Sequence, residues 1–436
     1  MRKALLVCLA VLVFSLVFHS DLSGQPRAPG FAWRQAVPRT GMSAKAGASG
    51  PGPWVQMAKL TSTDTNFTFF GESVAMSGNT LVVGTSEEDI HLNGQAAYVF
   101  VQPSGGWKNV TQVARLTPSD QAGYFANSVS IIGDTIVVGS PGANQGMGAV
   151  YVYVEPAGGW KDMTETAKLT TSDTQLSWLG KSVSFSGDTI VAGSPGDFAN
   201  GQGEVCVFVK PAGGWKNMTQ TAELVSSDIA SGDNFGWSVG ISGDTVVAGA
   251  PQILTGNGKG YVFVKPTSGW QNMTETAEVT ASDGGFQLDF GWAAAIDGNT
   301  AVFSESGNTP SALYVFVKPQ SGWRDMTQIA ELTAPGSDYW YGYSVDIKGN
   351  SIVTGDYLFG GNYFGAEGAA FLFLKPASGW KDSTNPDATF TGSDAHLGSF
   401  FGQGAIVSGK TIVATAPGSG NGNNFYAGAG YVFIHP

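Results

Sequence analysis

One segment recurs seven times along the chain, at spacings of 53–58 residues. Each copy opens on the pattern Ala-x-Leu/Val/Phe-Thr, with Val225 replacing the Thr once, and the copies begin at Ala58, Ala114, Ala167, Ala222, Ala277, Ala330 and Ala388. A unit of this length cannot bury its apolar faces alone, whereas equivalent units stacked around an axis cover them. The repeat therefore predicts one array of equivalent units.

Each copy contains the patterns of four short strands. In the third copy we predict a strand over Ser182–Ser186, a two-residue hairpin turn at Gly187-Asp188, and a second strand over Thr189–Gly193 that is apolar throughout and buried on both faces. Third strands are predicted at 149–154, 260–264 and 312–317, and a Gly-Trp pair opens a fourth. Because no segment has a helical pattern, we predict an all-β, seven-bladed β-propeller of four-stranded antiparallel blades.

The two ends of the array predict how the ring closes. The last copy stops after its third strand, at residues 431–434. The segment Trp54–Leu60 precedes the first copy and has the pattern of a fourth strand, since Trp54 matches the Trp that opens the fourth strand of other copies. We therefore expect one three-plus-one blade built from both termini, because this closure removes an exposed sheet edge.

Two further marks recur, and they carry a family resemblance. An Asp follows the start of each copy, and an aromatic-Gly pair precedes the first strand. Two copies depart from this pair and have Phe125-Ala126 and Leu179-Gly180 instead. Together with the strand pattern, as in Phe235-Gly236-Trp237-Ser238-Val239, these marks resemble the FG-GAP repeat over roughly residues 54–436. The resemblance implies the seven-bladed propeller found in the head of integrin α chains and in many bacterial exported proteins.

Integrin-like blades often carry a calcium loop of the Asp-x-Asp-x-Asp-Gly kind between the second and third strands. The corresponding segments here, such as 140–146 and 416–422, lack the regularly spaced carboxylates that a hard cation needs. The nearest candidate is Glu87-Glu88-Asp89, which we interpret as a solvated acidic loop. We therefore expect no metal site and no cofactor.

The N-terminal residues differ from the repeats. Arg2 and Lys3 precede an apolar run over residues 4–18, so residues 1–24 are predicted to be a signal peptide, with an uncleaved anchor as the alternative. Residues 25–53 are rich in Pro, Gly, Ala and Ser and are predicted to be a disordered linker. No other apolar stretch approaches membrane-spanning length, so we expect a secreted, extracellular or cell-envelope protein without a membrane span after signal removal.

The composition excludes several functions. A formal net charge of −12 argues against nucleic acid or an anionic membrane surface as the main partner. The sequence has four His and no His-x-x-x-His motif, and its one Gly-x-Ser-x-Gly match, Gly236-Trp237-Ser238-Val239-Gly240, belongs to the recurrent aromatic-Gly and strand pattern rather than to a strand-to-helix turn. We interpret the recurrent Asp as a residue that caps the turn between blades. The alternative is that the Asp side chains of two copies meet near the axis and act as the paired carboxylates of a glycosidase. We predict a non-enzymatic protein.

The candidate binding residues are those that differ between copies beside the aromatic-Gly pair. Positions shared by all copies serve the fold, whereas positions that vary are free for recognition. Large aromatic side chains stack on sugars and anchor protein loops. The candidates are Tyr124, Trp178, Trp237, Trp292, Trp340 and Tyr343, with Phe69 and Phe400 beside them. The alternative is that these rings pack between neighbouring blades.

Four Asn-x-Thr sequons begin at Asn66, Asn109, Asn217 and Asn272. The last three share one repeat position, where other copies have Asp162, Asp325 and Asp382. This alternation indicates a local structural requirement, and we expect glycosylation only in a eukaryotic host.

These observations predict an exported, non-enzymatic binding or adhesion module that recognises a protein or glycan through loops on one face of the propeller. Two alternatives stay open. One is a carbohydrate-active enzyme that uses axial Asp residues, and the other is a purely structural envelope or matrix protein.

Overall fold

The computed structural model describes residues 53–64, 69–85, 95–172, 177–196, 202–228, 230–251, 258–282, 289–306, 311–337, 339–361, 366–420 and 427–436. The predicted signal peptide (1–24), the predicted linker (25–53) except Pro53, the sequon Asn66 and the acidic segment Glu87-Glu88-Asp89 lie outside these residues.

The described strands form seven sheets, numbered here as blades 1 to 7. The chain begins with β1 (Val55–Thr61), and blade 1 follows with β2 (Phe70–Ser77), β3 (Thr80–Thr85), β4 (Ala97–Val101), β5 (Val110–Thr111) and β6 (Ala114–Leu116). Blade 2 contains β7 (Ser128–Ile132), β8 (Thr135–Ser140), the helical turn α1 (Ala143–Gly146), β9 (Ala149–Val154) and β10 (Ala167–Thr170). Blade 3 contains β11 (Ser182–Ser186), β12 (Thr189–Ser194), β13 (Glu204–Val209), β14 (Met218–Thr219) and β15 (Ala222–Leu224).

The remaining blades repeat this order. Blade 4 contains β16 (Ser238–Ser242), β17 (Thr245–Ala250), β18 (Lys259–Val264) and β19 (Ala277–Thr280). Blade 5 contains β20 (Phe290–Asp297), β21 (Thr300–Glu305), β22 (Leu313–Val317), β23 (Met326–Thr327) and β24 (Ala330–Leu332). Blade 6 contains β25 (Ser344–Lys348), β26 (Ser351–Asp356), β27 (Ala369–Leu374) and β28 (Ala388–Phe390), and the chain ends with β29 (Ala405–Ser408), β30 (Thr411–Ala416) and β31 (Ala429–Ile434).

Blade 7 closes the ring with a strand from each end of the chain. Its sheet has the order β29-β30-β31-β1-β5, and β1 pairs antiparallel with β31 from Val55↔Ile434 to Leu60↔Gly430. The two-residue strands β5, β14 and β23 are each named with the blade whose strands flank them in the chain, but they hydrogen-bond to the sheet of the preceding blade. Trp54 packs edge-on against Phe390 of blade 6, with ring centroids 5.5 Å apart. The predicted seven-bladed, all-β propeller with three-plus-one closure is confirmed.

The hairpin turns and second strands follow the predicted pattern. Ser186 pairs with Thr189 across the turn, and Gly187 has φ +58°, which suits the first central residue of a type II′ turn. Every residue of β12 is buried, as expected for a strand covered on both faces. In blade 1, Leu81 and Val83 contribute to the cluster shared with blade 7, whereas Val82 contributes to the cluster shared with blade 2.

The fourth strands are shorter than predicted. In blades 1 to 6 they begin at the Ala of the repeat, and the blade-end Trp side chains lie before them, buried in the clusters between blades. The residues between Trp and Ala pair in parallel with the fourth strand of the preceding blade, as in Leu60↔Val110 between β1 and β5. This pairing covers edges that would otherwise expose unpaired backbone groups.

Asn109 and its equivalents reinforce that pairing. The Oδ1 atom of Asn109 accepts a hydrogen bond from the Lys59 amide at 2.7 Å, and Asp162 Oδ1 accepts one from the Arg115 amide at 2.8 Å. Asn217, Asn272, Asp325 and Asp382 accept equivalent bonds from the preceding blade. Asn and Asp alternate because both provide this acceptor, which explains the recurrent sequon without a glycan.

Neighbouring first strands are joined by a serine hydrogen bond. Ser182 Oγ donates to the Gly236 carbonyl of the next blade at 3.0 Å, and Gly193 faces Ser182 across the sheet. Ser73, Ser128, Ser238 and Ser344 donate equivalent bonds. Blade 7 reverses the arrangement, because Gly404 faces Thr415, whose Oγ1 donates to the Gly71 carbonyl at 2.6 Å.

Candidate functional site

The first strands line a central cavity of about 270 Å³. Small and apolar side chains such as Ala75, Ser130, Gly240 and Ala295 form its wall, and Asp346 is charged among them. The first strands begin at one end of this cavity, directly after the aromatic-Gly pairs. That end therefore gathers the residues beside each pair around one opening.

The aromatic member of each pair holds neighbouring blades together. Phe70, Phe125, Phe235 and Phe401 are fully buried, and each bridges or packs against the third-strand region of a blade. Phe235, for example, forms a parallel bridge with Gly203 of the preceding blade. These residues are therefore structural and are not available to a ligand.

The residues on either side of the pair surround the opening. Those that follow the pair lie just before the first strand, or within it in blades 1 and 5, and we call them the mouth residues: Glu72, Asn127, Lys181, Trp237, Trp292, Tyr343 and Gln403. Those that precede the pair we call the flanking residues: Phe69, Tyr124, Trp178, Asn234, Asp289, Trp340 and Phe400. All six predicted binding residues fall in these two sets.

Aromatic side chains of blades 4 to 7 form one connected group, which we call the aromatic cluster. Trp237 contacts Trp292 with ring centroids 5.2 Å apart, and Trp292 contacts Trp340 and Tyr343 at 5.9 Å each. Tyr357 joins Tyr343 at 4.7 Å and Phe400 at 5.9 Å, while Tyr339 lies 5.2 Å from Trp340. Four of the six predicted residues thus lie together: Trp237, Trp292, Trp340 and Tyr343.

The aromatic cluster is buried at its ends and open in its middle. Trp237 and Phe400 are only 8% and 7% exposed, so packing between blades accounts for much of their contact. Trp292, Trp340, Tyr343 and Tyr357 are half-buried, and Tyr339 is 46% exposed. A ligand therefore has access to the middle of the cluster, in blades 5 and 6.

Sequence comparison of the copies missed Tyr339 and Tyr357. Tyr357 follows β26 directly, at the position where other copies have Pro141, Pro195, Pro251 and Pro417. The replacement of Pro by Tyr at this position was a visible departure from the repeat. It lies in the connection after the second strand, whereas the comparison considered only the residues around the aromatic-Gly pair. Both connections lie on the same face because the second strand returns the chain to the end where the first strand began.

The other mouth residues are polar. Gln403 Nε2 donates to Glu72 Oε2 at 2.7 Å, and the Lys181 amine lies 4.3 Å from the centroid of the Trp237 ring. Burial lowers the pKa of Lys181 to about 8, and the charge of Glu72 offsets part of that shift. The opening is thus divided into an aromatic side and a polar side, and Lys181 covers the first ring of the aromatic side.

Several flanking residues have a left-handed backbone. Tyr124 has φ +54° and Trp178 has φ +57°, whereas the same position holds Asn234 and Asp289 in blades 4 and 5. Asn and Asp tolerate this conformation, but a bulky aromatic residue costs about 1–3 kcal/mol there. Tyr124 and Trp178 are half-buried, so the local backbone alone does not explain why they are aromatic.

Asp289 contributes a carboxylate beside the aromatic cluster. The Trp292 amide donates to its backbone oxygen at 3.1 Å, and the side chain is half-buried. Burial raises the pKa of Asp289 to about 7. The pKa of Tyr339 is raised by burial and by the charge of Asp289, which places this carboxyl near the exposed ring of the cluster.

The recurrent Asp residues lie away from the opening and have a different role from the predicted turn cap. In each described copy the carboxylate accepts a hydrogen bond from a third-strand Tyr and pairs with a Lys or Arg, as in Tyr151–Asp120–Lys168. The other sets are Tyr98–Asp64–Arg115, Tyr261–Asp228–Lys259 and Tyr431–Asp394–Lys59. Asp173, Asp283 and Asp338 lie outside the described residues.

In Asp120, Asp228 and Asp394 these partners lower the pKa and so favour the charged carboxylate. Burial alone would raise the pKa of Asp228, but hydrogen bonds from Lys259, Ser226 and Tyr261 outweigh it and lower the pKa to about 2. A carboxylate fixed in this way stabilises the loop between blades and has no proton to donate at neutral pH.

Within the described ranges, no three His, Cys, Asp or Glu side chains lie close enough together to hold a metal ion. We expect 5 mM EDTA to change the melting temperature by less than about 1 °C, because only a ligand bound selectively to the folded state stabilises it. Differential scanning fluorimetry with EDTA and with millimolar calcium tests this expectation. A rise of several degrees with calcium would show that an acidic loop binds the ion.

Asp346 is a charged residue of the cavity wall, and the pH dependence of stability tests how burial affects its ionisation. Its Oδ2 accepts a hydrogen bond from the Val407 amide at 2.8 Å, and burial raises its pKa to about 6 even though this bond lowers it. Since Asp346 ionises first in the unfolded chain, its contribution to wild-type stability should fall as the pH rises from about 4 to about 6. Asp346→Asn keeps a hydrogen-bond acceptor but carries no charge. The variant should therefore be more stable than wild type by about 1–2 kcal/mol at pH 8 and about as stable as wild type at pH 4.

Urea unfolding at pH 4 and pH 8 measures this difference. Asp188→Asn, in an exposed hairpin turn, is the matched control and should show little change at either pH. A gain for Asp346→Asn that is equal at both pH values would mean that ionisation of Asp346 is not its cause.

The fold and the opening define a propeller with an aromatic and a polar side at one end of its axis. The FG-GAP repeat model matches residues 54–100, 110–153, 163–208, 218–264 and 273–316, which together exceed half of the sequence. The chain belongs to the FG-GAP repeat family. Blade 6 and the strands β29, β30 and β31 of blade 7 lie beyond the matched ranges and share the same strand order.

The WD40 β-propeller domain of Doa1 is similar in fold. It is 12% identical, the superposition has a TM-score of 0.52, and the match covers 88% of this chain and 97% of that domain. No curated protein sequence matches the chain significantly. Among the described residues, no helix is both long and apolar enough to cross a membrane.

Proposed function

We propose that the protein is an exported, non-enzymatic binding module that recognises a protein or glycan through the aromatic cluster. The observation that carries this proposal is the half-exposed contact network of Trp292, Trp340, Tyr343 and Tyr357, at positions where the copies differ. Half-buried aromatic side chains grouped on one face are typical anchors of binding interfaces. FG-GAP propellers generally serve as binding or adhesion modules, which agrees with this role.

Export is the second part of the proposal. It rests on the predicted signal peptide over residues 1–24 and on the resemblance to propellers of exported proteins. The described recurrent Asp residues support a non-enzymatic role, because each is held by a Tyr and a basic side chain rather than facing another carboxylate at the cavity.

The test is capture of a macromolecule from the extracellular fraction of the source organism by the immobilised full-length chain. Wild type and Lys216→Glu, an exposed change in a loop between third and fourth strands at the other end of the axis, should retain the same species. Trp292→Ala with Trp340→Ala should weaken retention about thirtyfold or more, which corresponds to about 2 kcal/mol.

Packing within the aromatic cluster makes a second variant necessary. Tyr339→Glu changes an exposed side chain, so it should weaken retention while the melting temperature stays near that of wild type. Retention that survives both variants would contradict the proposed site. Turnover of a glycan or ester that one Asp→Asn change abolishes would contradict the non-enzymatic role.

A further inference from the structure

The opening of the propeller combines two chemistries, and this combination indicates what class of ligand fits it. On one side lie the half-exposed rings of Trp292, Trp340 and Tyr343. On the other side Gln403 follows Tyr343 around the ring of mouth residues and is hydrogen-bonded to Glu72. A suitable ligand therefore presents an apolar face and several hydrogen-bonding groups at once.

The charges at the opening disfavour ionic ligands. Lys181 already places its amine over the Trp237 ring at 4.3 Å, so a cationic group approaching that ring meets an internal cation. Glu72 and Asp289 place carboxylates on both sides of the exposed rings, and the chain carries a formal charge of −12. These charges repel a polyanion.

Asp289 supplies an acceptor at the exposed part of the aromatic cluster. No described residue donates a hydrogen bond to its carboxyl group among the bonds found in the structure, and its backbone oxygen is the part that holds the Trp292 amide. The charge of Asp289 acts on Tyr339, which places the carboxyl group beside an exposed ring of the cluster. Hydroxyl groups satisfy such an acceptor without bringing a charge.

We infer that the aromatic cluster binds an uncharged glycan, with sugar rings stacked on Trp292 and Trp340 and with sugar hydroxyls donating to Asp289 and to the Glu72–Gln403 pair. This inference rests on the proposed function and names the ligand class of the same site. A sugar ring fits both sides of the opening because one face carries C–H groups and its edge carries hydroxyls. A protein ligand is an outcome of the test.

Native affinity electrophoresis of the full-length chain tests the inference directly. The gels contain one neutral polysaccharide each, namely β-glucan, xylan, galactomannan or dextran, and parallel gels contain polygalacturonate or heparin. At least one neutral polysaccharide should retard wild type, and neither polyanion should. Trp292→Ala and Asp289→Ala should each weaken the apparent affinity at least tenfold.

The controls separate binding from folding. Asp188→Ala removes an exposed carboxylate at the other end of the axis, and Leu374→Ala removes an exposed apolar side chain there, so both should bind like wild type. Asp289→Ala removes a carboxyl group that burial disfavours, so this variant should fold even if Trp292→Ala does not. Thermal unfolding of each variant verifies this.

Each outcome decides the inference. Wild type that no neutral polysaccharide retards, or that only the polyanions retard, overturns it, as does retardation that persists in Asp289→Ala and in folded Trp292→Ala. If the capture experiment instead retains a protein in a Trp292- and Trp340-dependent manner while no neutral polysaccharide binds, the glycan assignment fails and the proposed binding function stands. If capture fails as well, both fail.

Discussion

Deleting residues 54–60 is expected to destabilise the propeller by about 5 kcal/mol or more, a loss comparable to the whole stability of many domains. The deletion removes most of β1 and with it the buried Ala58 and Leu60, and it leaves β31 as an open edge. Loss of one buried Leu alone costs about 2–5 kcal/mol. Thermal unfolding and light scattering should show a lower melting temperature and aggregation.

The matched control is a chain that begins at Pro53, which lacks the predicted signal peptide and linker but keeps β1. It should melt at the temperature of the chain that begins after the predicted signal peptide. If the chain without residues 54–60 melted at that temperature too, blade 7 would be stable with three strands, and the closure would contribute little.

Gly193→Ala is expected to destabilise the protein by about 3 kcal/mol or more, because β-carbons that overlap a packed backbone force the structure apart. A Cβ atom at Gly193 would lie 1.8 Å from the Gly236 carbonyl oxygen and 2.4 Å from Ser182 Oγ. Both atoms belong to the hydrogen bond that joins blades 3 and 4. Urea unfolding of the variant measures the loss.

Gly430→Ala is the control for this prediction. Gly430 also lies buried within a strand, but a Cβ atom there would meet Leu60 Cβ at 3.7 Å, an ordinary contact. This change should be neutral within about 0.5 kcal/mol. Equal losses for Gly193→Ala and Gly430→Ala would mean that glycine flexibility rather than the blade contact governs both positions.

Much of the fold could be predicted from the repeat because the same strand and turn pattern occurs in every copy, so each copy supports the assignment made in the others. The strands predicted at 149–154 and Ser182–Ser186 match β9 and β11 at both ends, and Trp54 led to the correct closing strand. The start of the fourth strand was wrong because the residues after Gly-Trp do form a ladder, but with the preceding blade. No local pattern reveals which strand a segment pairs with.

The site was predicted in part. Differences between copies identified positions such as Trp237 and Tyr343, but not that the connected rings lie in blades 4 to 7, since that depends on side-chain directions around the axis. The role of the recurrent Asp was missed, although Tyr98, Tyr151, Tyr261 and Tyr431 recur with it. The sequence did contain a signal for this role, because in these four copies a Tyr follows the Asp by 31 to 37 residues.

The exchange between Gly404 and Thr415 also has a sequence signature. Wherever the first-strand position that bonds to the next blade holds Ser, the facing residue is Gly, whereas blade 7 pairs Gly404 with Thr415 and blade 5 pairs Ala293 with Ser304. The space between blades accommodates one hydroxyl from either strand. Comparison of both positions across copies would have predicted this contact.

The closing strand also affects the order of folding. Gln56 and Ser393 are hydrogen-bonded although they lie 337 positions apart in sequence. Within each of blades 1 to 6 the antiparallel strands lie close together in sequence and can pair as the chain emerges, but the antiparallel partner of β1 is not available until β31 is formed. Contacts of such long range are slow to form. The last folding event is therefore the meeting of β1 and β31, and a chain released before β31 is complete leaves the β31-facing edge of β1 unpaired and available to other chains.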